Sequence, residues 1–207
     1  MPGSVLDRTN ATLRLVPCRS REKPGLLLDR LDAGKPAGAA VIRVRNEKSA
    51  SDAAAFLMRI RRESRTMAPV MGECELARVA SWFKTADNAA LIVVEGLPFP
   101  ERSDIRQAYF MNLPVSLEAV KTDLDAVGLD GLDSRVDVFA SARDIDIRLA
   151  AVENGAEKDS VKQVVAWMEH DGCARRFLAG HLLGAEAGDC GNCGWCLGRK
   201  ARFIPWE

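Results

Sequence analysis

The chain has 207 residues, of which 47% are hydrophobic and 28% are charged, a composition typical of one large globular domain or of a medium domain with a small appendage. Its 29 Lys and Arg residues balance its 29 Asp and Glu residues, which argues against a strongly basic nucleic-acid-binding protein taken as a whole. No apolar run is long enough to span a membrane, and the first residues lack the apolar core of a signal peptide, so we expect a cytoplasmic protein.

The charge is unevenly distributed along the chain. Residues 1–66 hold fourteen Lys and Arg against seven Asp and Glu, whereas residues 101–160 hold seven against thirteen. A basic face and an acidic face can therefore occur on one body.

The first two thirds of the chain alternate between strand and helix patterns. Short apolar or alternating runs predict strands at residues 12–17, 39–44, 67–71, 89–95, 105–111 and 135–140. Helical spacing predicts helices at residues 24–32, 48–65, 73–82 and 117–127, and a loop over residues 34–38. This alternation predicts an α/β domain over residues 1–141, with a parallel sheet covered by helices on both faces.

After residue 141 the pattern becomes helical only. Apolar positions at helical spacing predict helices over residues 144–154 and 160–170, joined by a polar link at residues 155–159. A further apolar-periodic run begins at Cys173. We therefore predict a separate helical subdomain over residues 142–207.

Four cysteines in this second part have the spacing of a metal site. Cys173 is followed after sixteen residues by Cys190, and Cys193 and Cys196 come next, with two residues between each consecutive pair. Four thiolates on such short loops bind Zn²⁺ tetrahedrally and leave no open position, so the predicted zinc site is structural. Gly191 follows Cys190, and Gly194 follows Cys193, where tight turns favour glycine.

Two alternatives to a metal site remain open for these cysteines. They can pair as disulfides or lie buried as unreactive thiols, although closely spaced cysteines in a reducing compartment are more often metal ligands. His170 is the only plausible substitute ligand. The isolated Cys18 and Cys74 are predicted to be buried apolar residues.

The zinc stretch resembles the zinc-binding subdomain of RecQ-type DNA helicases. In that family a cysteine followed by arginines starts a helix, and a CGxCxxC loop closes the site. Cys173, Arg175, Arg176 and the CGNCGWC of residues 190–196 match this arrangement.

The resemblance extends upstream over nearly the whole chain. Residues 7–17 with REKPGLLLDRL, AAVIRVRNEKSASDAAAFL, SDIRQAYFMNLPVSLEAV and GLDGLDSRVDVFAS are similar to successive parts of the second RecA-like lobe of these helicases. The resemblance therefore implies a RecA-like, P-loop NTPase-type fold for residues 1–141, followed by the zinc-binding subdomain.

The motor residues expected from the resemblance are not present. The chain contains no G-x-x-x-x-G-K-[ST] phosphate loop. In the family's arginine-rich motif, which reads TDLDAVGL here, the two arginine positions hold Ala126 and Leu129. Pro98 and Pro100 replace a glycine-rich turn, and Phe110 replaces a histidine. Because such arginines stabilise the transferring phosphoryl group, we expect no ATP hydrolysis by this chain alone.

These features favour a non-catalytic module that binds single-stranded or forked DNA, or docks a protein partner, in DNA repair or recombination. Nucleic-acid backbones are contacted mainly by Lys and Arg, although any one of these cations can equally be solvated surface or balance the thiolates. The candidate contacts are Arg43, Arg45, Lys48, Arg175, Arg176 and Arg199.

Two further functions remain open. The chain can be one half of a split or truncated ATP-dependent helicase whose first lobe is a separate polypeptide, although Ala126 and Leu129 argue against a composite ATP site. It can also be a purely structural interaction domain, for which Trp195 and Trp206 are candidate exposed residues, whereas Trp82 and Trp167 have the helical phase of core residues.

Overall fold

Six parallel strands form one sheet at the centre of the molecule, in the order β1-β6-β5-β2-β4-β3. The strands are β1 (Ala11–Pro17), β2 (Ala39–Val44), β3 (Ser64–Met67), β4 (Ala90–Val94), β5 (Ile105–Phe110) and β6 (Ser134–Ala140). The helices are α1 (Lys23–Asp32), α2 (Glu47–Arg59), α3 (Glu73–Thr85), α4 (Leu117–Asp125), α5 (Ala142–Ala151), α6 (Gly155–Glu169) and α7 (Ala174–Leu183).

This architecture comes from a computed structural model that describes residues 10–32, 38–184 and 186–199. Most of the predicted loop at residues 34–38, and Trp206 in the C-terminal tail, lie outside the described residues. No helix among the described residues combines the length and the apolar character that crossing a membrane requires.

Helices cover both faces of the sheet, as the alternating pattern predicts. On one face, α1 and α2 contribute Leu27 and Leu57 to a cluster that contains Ile42 and Tyr109. The other face packs against α3 to α7. Every residue of β2 and β4 is buried, which explains why these strands are continuously apolar or nearly so in sequence.

The structure corrects the sequence prediction between residues 48 and 71. The predicted helix 48–65 ends at Arg59, where Arg61 adopts a left-handed backbone with φ of 56°. The next strand is Ser64–Met67 rather than 67–71, because Met71 closes a turn onto the carbonyl of Ala68. The apolar periodicity continues past the helix end, so it could not locate this boundary.

The polar link predicted at residues 155–159 is also wrong. These residues form the first turn of α6. The Asn154 side chain accepts a hydrogen bond from the backbone N–H of Glu157, at 2.8 Å, and so caps the helix. Polar residues are frequent in first turns, which is why the segment resembled a linker.

The helical part shares its hydrophobic core with the sheet. Val164 and Trp167 of α6 belong to the same buried cluster as Leu117 of α4 and Val138 of β6. The boundary at residues 141 and 142 stays a prediction; there, Ser141 caps α5 directly after β6 ends.

Candidate metal centre and arginine positions

The four predicted cysteine ligands converge at one point. The sulfur atoms of Cys173, Cys190, Cys193 and Cys196 all lie within 4.8 Å of one another. The Cys193 Sγ lies 3.5 Å from the Cys196 Sγ and 3.9 Å from the Cys173 Sγ, and the Cys190 and Cys196 sulfurs are 4.0 Å apart.

These separations fit a tetrahedral thiolate site. A Zn–S bond of about 2.3 Å places tetrahedral sulfur ligands about 3.8 Å apart. A disulfide requires a sulfur separation near 2.05 Å, and all six cysteines are free. The structure therefore contains a four-sulfur arrangement that could hold a metal ion, and the disulfide alternative is not what it shows.

Local backbone geometry explains how the sequence builds the site. Cys173 is the N-cap of α7, and its sulfur accepts hydrogen bonds from the backbone N–H groups of Arg176 at 3.5 Å and Cys190 at 3.3 Å. Such donors orient a thiolate and stabilise its negative charge. Gly191 has φ of 70°, as the predicted turn requires.

Gly194 is needed for a different reason from the one predicted. An added Cβ at Gly194 would lie 3.1 Å from the carbonyl oxygen of Arg199 and 3.7 Å from the Cα of Arg14. A side chain therefore conflicts with the close approach of two backbone segments rather than with the backbone torsions.

The thiols perturb one another's ionisation. Hydrogen bonding from Cys190 lowers the pKa of Cys193, while the same hydrogen bond, together with burial, raises the pKa of Cys190. Metal binding requires deprotonated sulfurs, so binding of a cation would release the protons that the thiols still carry.

The cysteine loop, residues 190–199, is attached to the edge strand β1. Cys193 forms an isolated parallel bridge with Leu13, and the backbone N–H of Gly194 donates to the Leu13 carbonyl at 2.8 Å. The Thr12 hydroxyl hydrogen bonds to the Asn192 side chain at 3.0 Å. The loop therefore covers part of an otherwise open sheet edge.

The other predicted residues near the site lie outside the cluster. The imidazole ring of His170 packs against Phe177, with 5.1 Å between the ring centroids, and is not part of the sulfur cluster. Trp195 is half-buried, and its indole N–H donates to Asp171 at 3.2 Å. Cys18 is buried as predicted, but Cys74 is exposed, because it lies in the first turn of α3 on the side away from the sheet.

Two of the arginines predicted to contact nucleic acid are engaged inside the protein. Arg43 is 7% exposed, and its guanidinium group makes a two-pronged ion pair with Asp123, with a 2.8 Å bond from Nε. Burial raises the pKa of Asp123, and Arg43 offsets part of that rise. Arg175 is 2% exposed and donates to the Ala11 carbonyl.

The remaining predicted cations are more accessible. Lys48 is exposed and pairs with Asp52 at 3.2 Å, and Arg176 is exposed and pairs with Asp189 at 2.8 Å. Arg45 is half-buried, and Arg199 is exposed. The cations that follow β2 and those near the cysteines form two groups, because β5 and β6 lie between β2 and β1. Their contact with nucleic acid stays a prediction.

Buried ion pairs at the carboxyl ends of the strands were missed by the sequence analysis. Arg148 of α5 bonds to Glu95 after β4, and Lys23 of α1 bonds to Asp144. A cavity of about 290 Å³ opens beside Arg43 and Glu95, bordered by Leu97. The sequence did contain one signal for such a pair, because the acidic Glu95 directly follows the apolar strand β4. Residues in that position lie at the ligand-binding edge of parallel sheets.

Ala126 and Leu129, which the helicase resemblance places at two arginine positions of the family, lie where α4 leads into β6. Ala126 is the C-cap of α4, and Leu129 is 42% exposed in the following turn. In the same loop Asp130 pairs with Arg106 at 2.5 Å, and Arg106 is 7% exposed. No guanidinium group therefore projects from positions 126 and 129.

Comparison with known proteins agrees with the helicase resemblance. No protein-family profile matches the chain. It is 25% identical over 108 residues to the ATP-dependent DNA helicase RecQ of Bacillus subtilis; the match covers 49% of this chain and 18% of that protein. The chain thus matches only a small part of this curated relative's length.

The structural similarities show the fold. The C-terminal domain of the DEAD-box protein Dbp5 superposes with a TM-score of 0.57 at 17% identity, over 70% of this chain and 84% of that one. The S. cerevisiae Dbp5 structure bound to RNA and ADP BeF3 gives a TM-score of 0.57 at 16% identity, over 76% of this chain and 46% of that one. The chain has the RecA-like fold of helicase C-terminal domains.

Proposed function

We propose that this chain is a non-catalytic, helicase-derived module that binds DNA and holds a structural Zn²⁺ ion. The observation that carries the proposal is the RecA-like C-terminal lobe, combined with Ala126 and Leu129 at the positions that the helicase resemblance assigns to phosphoryl-stabilising arginines. The fold is kept, while the groups that would act on a nucleotide are replaced.

The donor set supports zinc as the metal. Four cysteine sulfurs at tetrahedral separations suit Zn²⁺ and leave no coordination position for water or substrate. The ion would hold α7, the cysteine loop and β1 together, because Cys173 caps the helix and Cys193 bridges to Leu13. Its contribution is thus to folding rather than to chemistry.

The substituted positions support the absence of ATP turnover. Neither the methyl group of Ala126 nor the isobutyl group of Leu129 can donate the charge-assisted hydrogen bond that an arginine supplies. Loss of such an arginine typically lowers the rate about 10³–10⁵-fold. A partner that supplied a first lobe would still meet a composite site without these two guanidinium groups.

The comparisons support nucleic acid as the ligand. The curated relative is a DNA helicase, and a structural neighbour is described as bound to RNA. A role in DNA repair or recombination, in a reducing compartment such as the cytoplasm where free thiols persist, is part of the proposal.

Two measurements test the proposal together. Fluorescence anisotropy with single-stranded and forked DNA across a salt series should show binding that weakens with salt, whereas ATPase assays with and without DNA should show no turnover. No binding even at low salt would refute the DNA-binding proposal. DNA-stimulated ATPase after mixing with a separate first-lobe chain would favour the split-helicase alternative instead.

A further inference from the structure

A row of side chains on the face of the sheet under α1 brings charge together across three strands. Strand pairing places Arg14 of β1, Asp137 of β6 and Tyr109 of β5 side by side. Arg135 lies two residues before Asp137, so its side chain points to the same face. Asp137 and Tyr109 are fully buried and form the floor of this region.

Arginines from three further segments surround that floor. Arg30 of α1 places its Nε 3.4 Å from the Asp137 Oδ2. Arg62, in the connection between α2 and β3, and Arg199, in the cysteine loop, lie close enough to act electrostatically on Tyr109 and Asp137, respectively. We call Arg14, Arg30, Arg62, Arg135 and Arg199 the arginine face.

The arginine face carries more positive charge than its neighbourhood neutralises. Burial lowers the pKa of Arg14, the charge of Asp137 opposes this as the next-largest effect, and the charges of Arg199, Arg135 and Arg30 lower the pKa further. A guanidinium group nevertheless stays protonated at any physiological pH. Among the described residues, Asp137 lies between these arginines and Glu63 and Asp87 border the same depression as Arg62, so the five guanidinium groups outnumber the carboxylates beside them.

Several of its hydrogen-bond donors also lack acceptors. Among the described residues, the Nε atoms of Arg14, Arg30 and Arg62 and the Nη1 of Arg135 are buried without a hydrogen-bond partner, and so are both carboxylate oxygens of Asp137, one of which lies 3.4 Å from the Arg30 Nε. Buried donors in native proteins are almost always satisfied. Guanidinium forks match phosphate oxygens, which accept two parallel bonds and supply the missing negative charge.

We propose that the arginine face binds the phosphodiester backbone of a nucleic acid. The inference rests on the proposed DNA-binding function and assigns its contact surface to residues other than the buried Arg43 and Arg175. The five arginines come from five separate segments and span both the lobe and the cysteine loop, which suits a polymer better than one small anion. The aromatic residue at the floor, Tyr109, is fully buried and offers no surface on which a base could stack. Contacts to phosphate carry no direct sequence information, so we expect binding that is independent of sequence.

A charge-matched pair of double variants tests the assignment. The first double variant, Arg62→Gln with Arg199→Gln, removes two charges of the arginine face at positions outside the fully buried floor. The control, Arg78→Gln with Arg143→Gln, removes two exposed charges from α3 and α5, which cover the opposite face of the sheet. The Arg30→Gln variant, at a side chain that is 32% exposed, provides an independent second measurement should the first double variant fold poorly.

Binding of a labelled oligodeoxythymidine is measured by anisotropy over a salt series, after circular dichroism has confirmed folding. The face variant should bind at least about tenfold more weakly, and the slope of log K against log salt should fall by about 0.7 for each arginine removed, while the control keeps the wild-type slope. Equal losses in both double variants, or none in the face variant and Arg30→Gln, would overturn the assignment while leaving DNA binding intact.

Two other outcomes distinguish a small phosphate anion from a nucleic-acid backbone, and a wrong contact surface from a wrong proposed function. Wild-type protein that binds pyrophosphate as tightly as the oligonucleotide would identify a small-anion site and contradict the backbone assignment. Wild-type protein that binds no nucleic acid at low salt would remove the proposed function and this inference together.

Discussion

The backbone N–H of Gly194 donates a hydrogen bond to the carbonyl oxygen of Leu13, which lies 2.8 Å away and 181 positions earlier in the chain. This bond joins the cysteine loop to the first strand of the sheet. Leu13 is fully buried in the main hydrophobic cluster, and Cys193, the residue before Gly194, belongs to the same cluster. The four-cysteine cluster and β1 are therefore linked through one short contact.

Removing the metal should loosen β1 before the centre of the sheet. Wild-type protein is expected to retain one Zn²⁺ per chain, and chelation should increase amide hydrogen exchange in β1 while β2 and β4 stay protected. Cys193→Ser should lose the metal and fold poorly, whereas Cys74→Ser, at an exposed cysteine outside the cluster, should behave as wild type. A fully folded, metal-free wild-type protein would contradict the prediction.

Gly194→Ala should weaken the attachment of the cysteine loop. The added methyl group would lie 3.1 Å from the Arg199 carbonyl oxygen, and such overpacking typically costs about 1–3 kcal/mol. Thermal unfolding and chelator competition would measure the loss. Gly188→Ala is the matched control, because an added Cβ there meets no atom within 4 Å; equal effects of the two substitutions would argue against the close approach at Gly194.

The buried pair of Arg43 and Asp123 should be important for stability. Arg43→Met leaves the Asp123 carboxylate without its partner, and breaking a buried pair in this way costs about 3–5 kcal/mol. The double variant Arg43→Met with Asp123→Leu should recover most of that loss, since neither charge remains. Denaturant unfolding of Arg43→Met, Asp123→Leu and the double variant gives the coupling free energy between the two side chains. Additive losses would show that the two side chains act independently.

Asp137 should make the protein less stable as pH rises. Burial raises the pKa of Asp137 above its ordinary value, and the surrounding arginines offset only part of the rise. The folded state therefore favours the protonated acid. The contribution of Asp137 to the free energy of unfolding is fully present below about pH 4, near the unfolded pKa. That contribution is lost as the pH rises through the folded pKa.

Asp137→Asn should consequently raise the unfolding temperature at pH 7, and its advantage should shrink as the pH falls toward about 4. Asp133→Asn, at an exposed position in the preceding loop, serves as the control and should show little effect. A variant that is less stable than wild type at pH 7 would mean that the arginines depend on this carboxylate more than burial opposes it.

Strongly patterned segments could be predicted from sequence, while boundaries without a change in pattern could not. The β2 prediction matches the observed bounds, because a buried parallel strand needs a nearly continuous apolar run, which Arg43 alone interrupts here. The end of α2 was misplaced because it depends on the left-handed turn at Arg61 rather than on hydrophobicity. The link before α6 was misassigned because the Asn154 cap makes a polar segment helical.

The sequence by itself determined the four sulfur donors and the parallel α/β pattern, because residue chemistry and local spacing are properties of the chain. The helicase resemblance added the expectation that Ala126 and Leu129 stand where the family has arginines. Only the tertiary structure decided which arginine side chains are engaged inside the protein and which lie together on the arginine face. Two arginines, Arg43 and Arg175, make buried contacts. Three others lie near Asp137: Arg14, Arg30 and Arg135. The physical reason is that burial and ion pairing depend on strands and helices far apart in sequence, and local periodicity contains no information about those contacts.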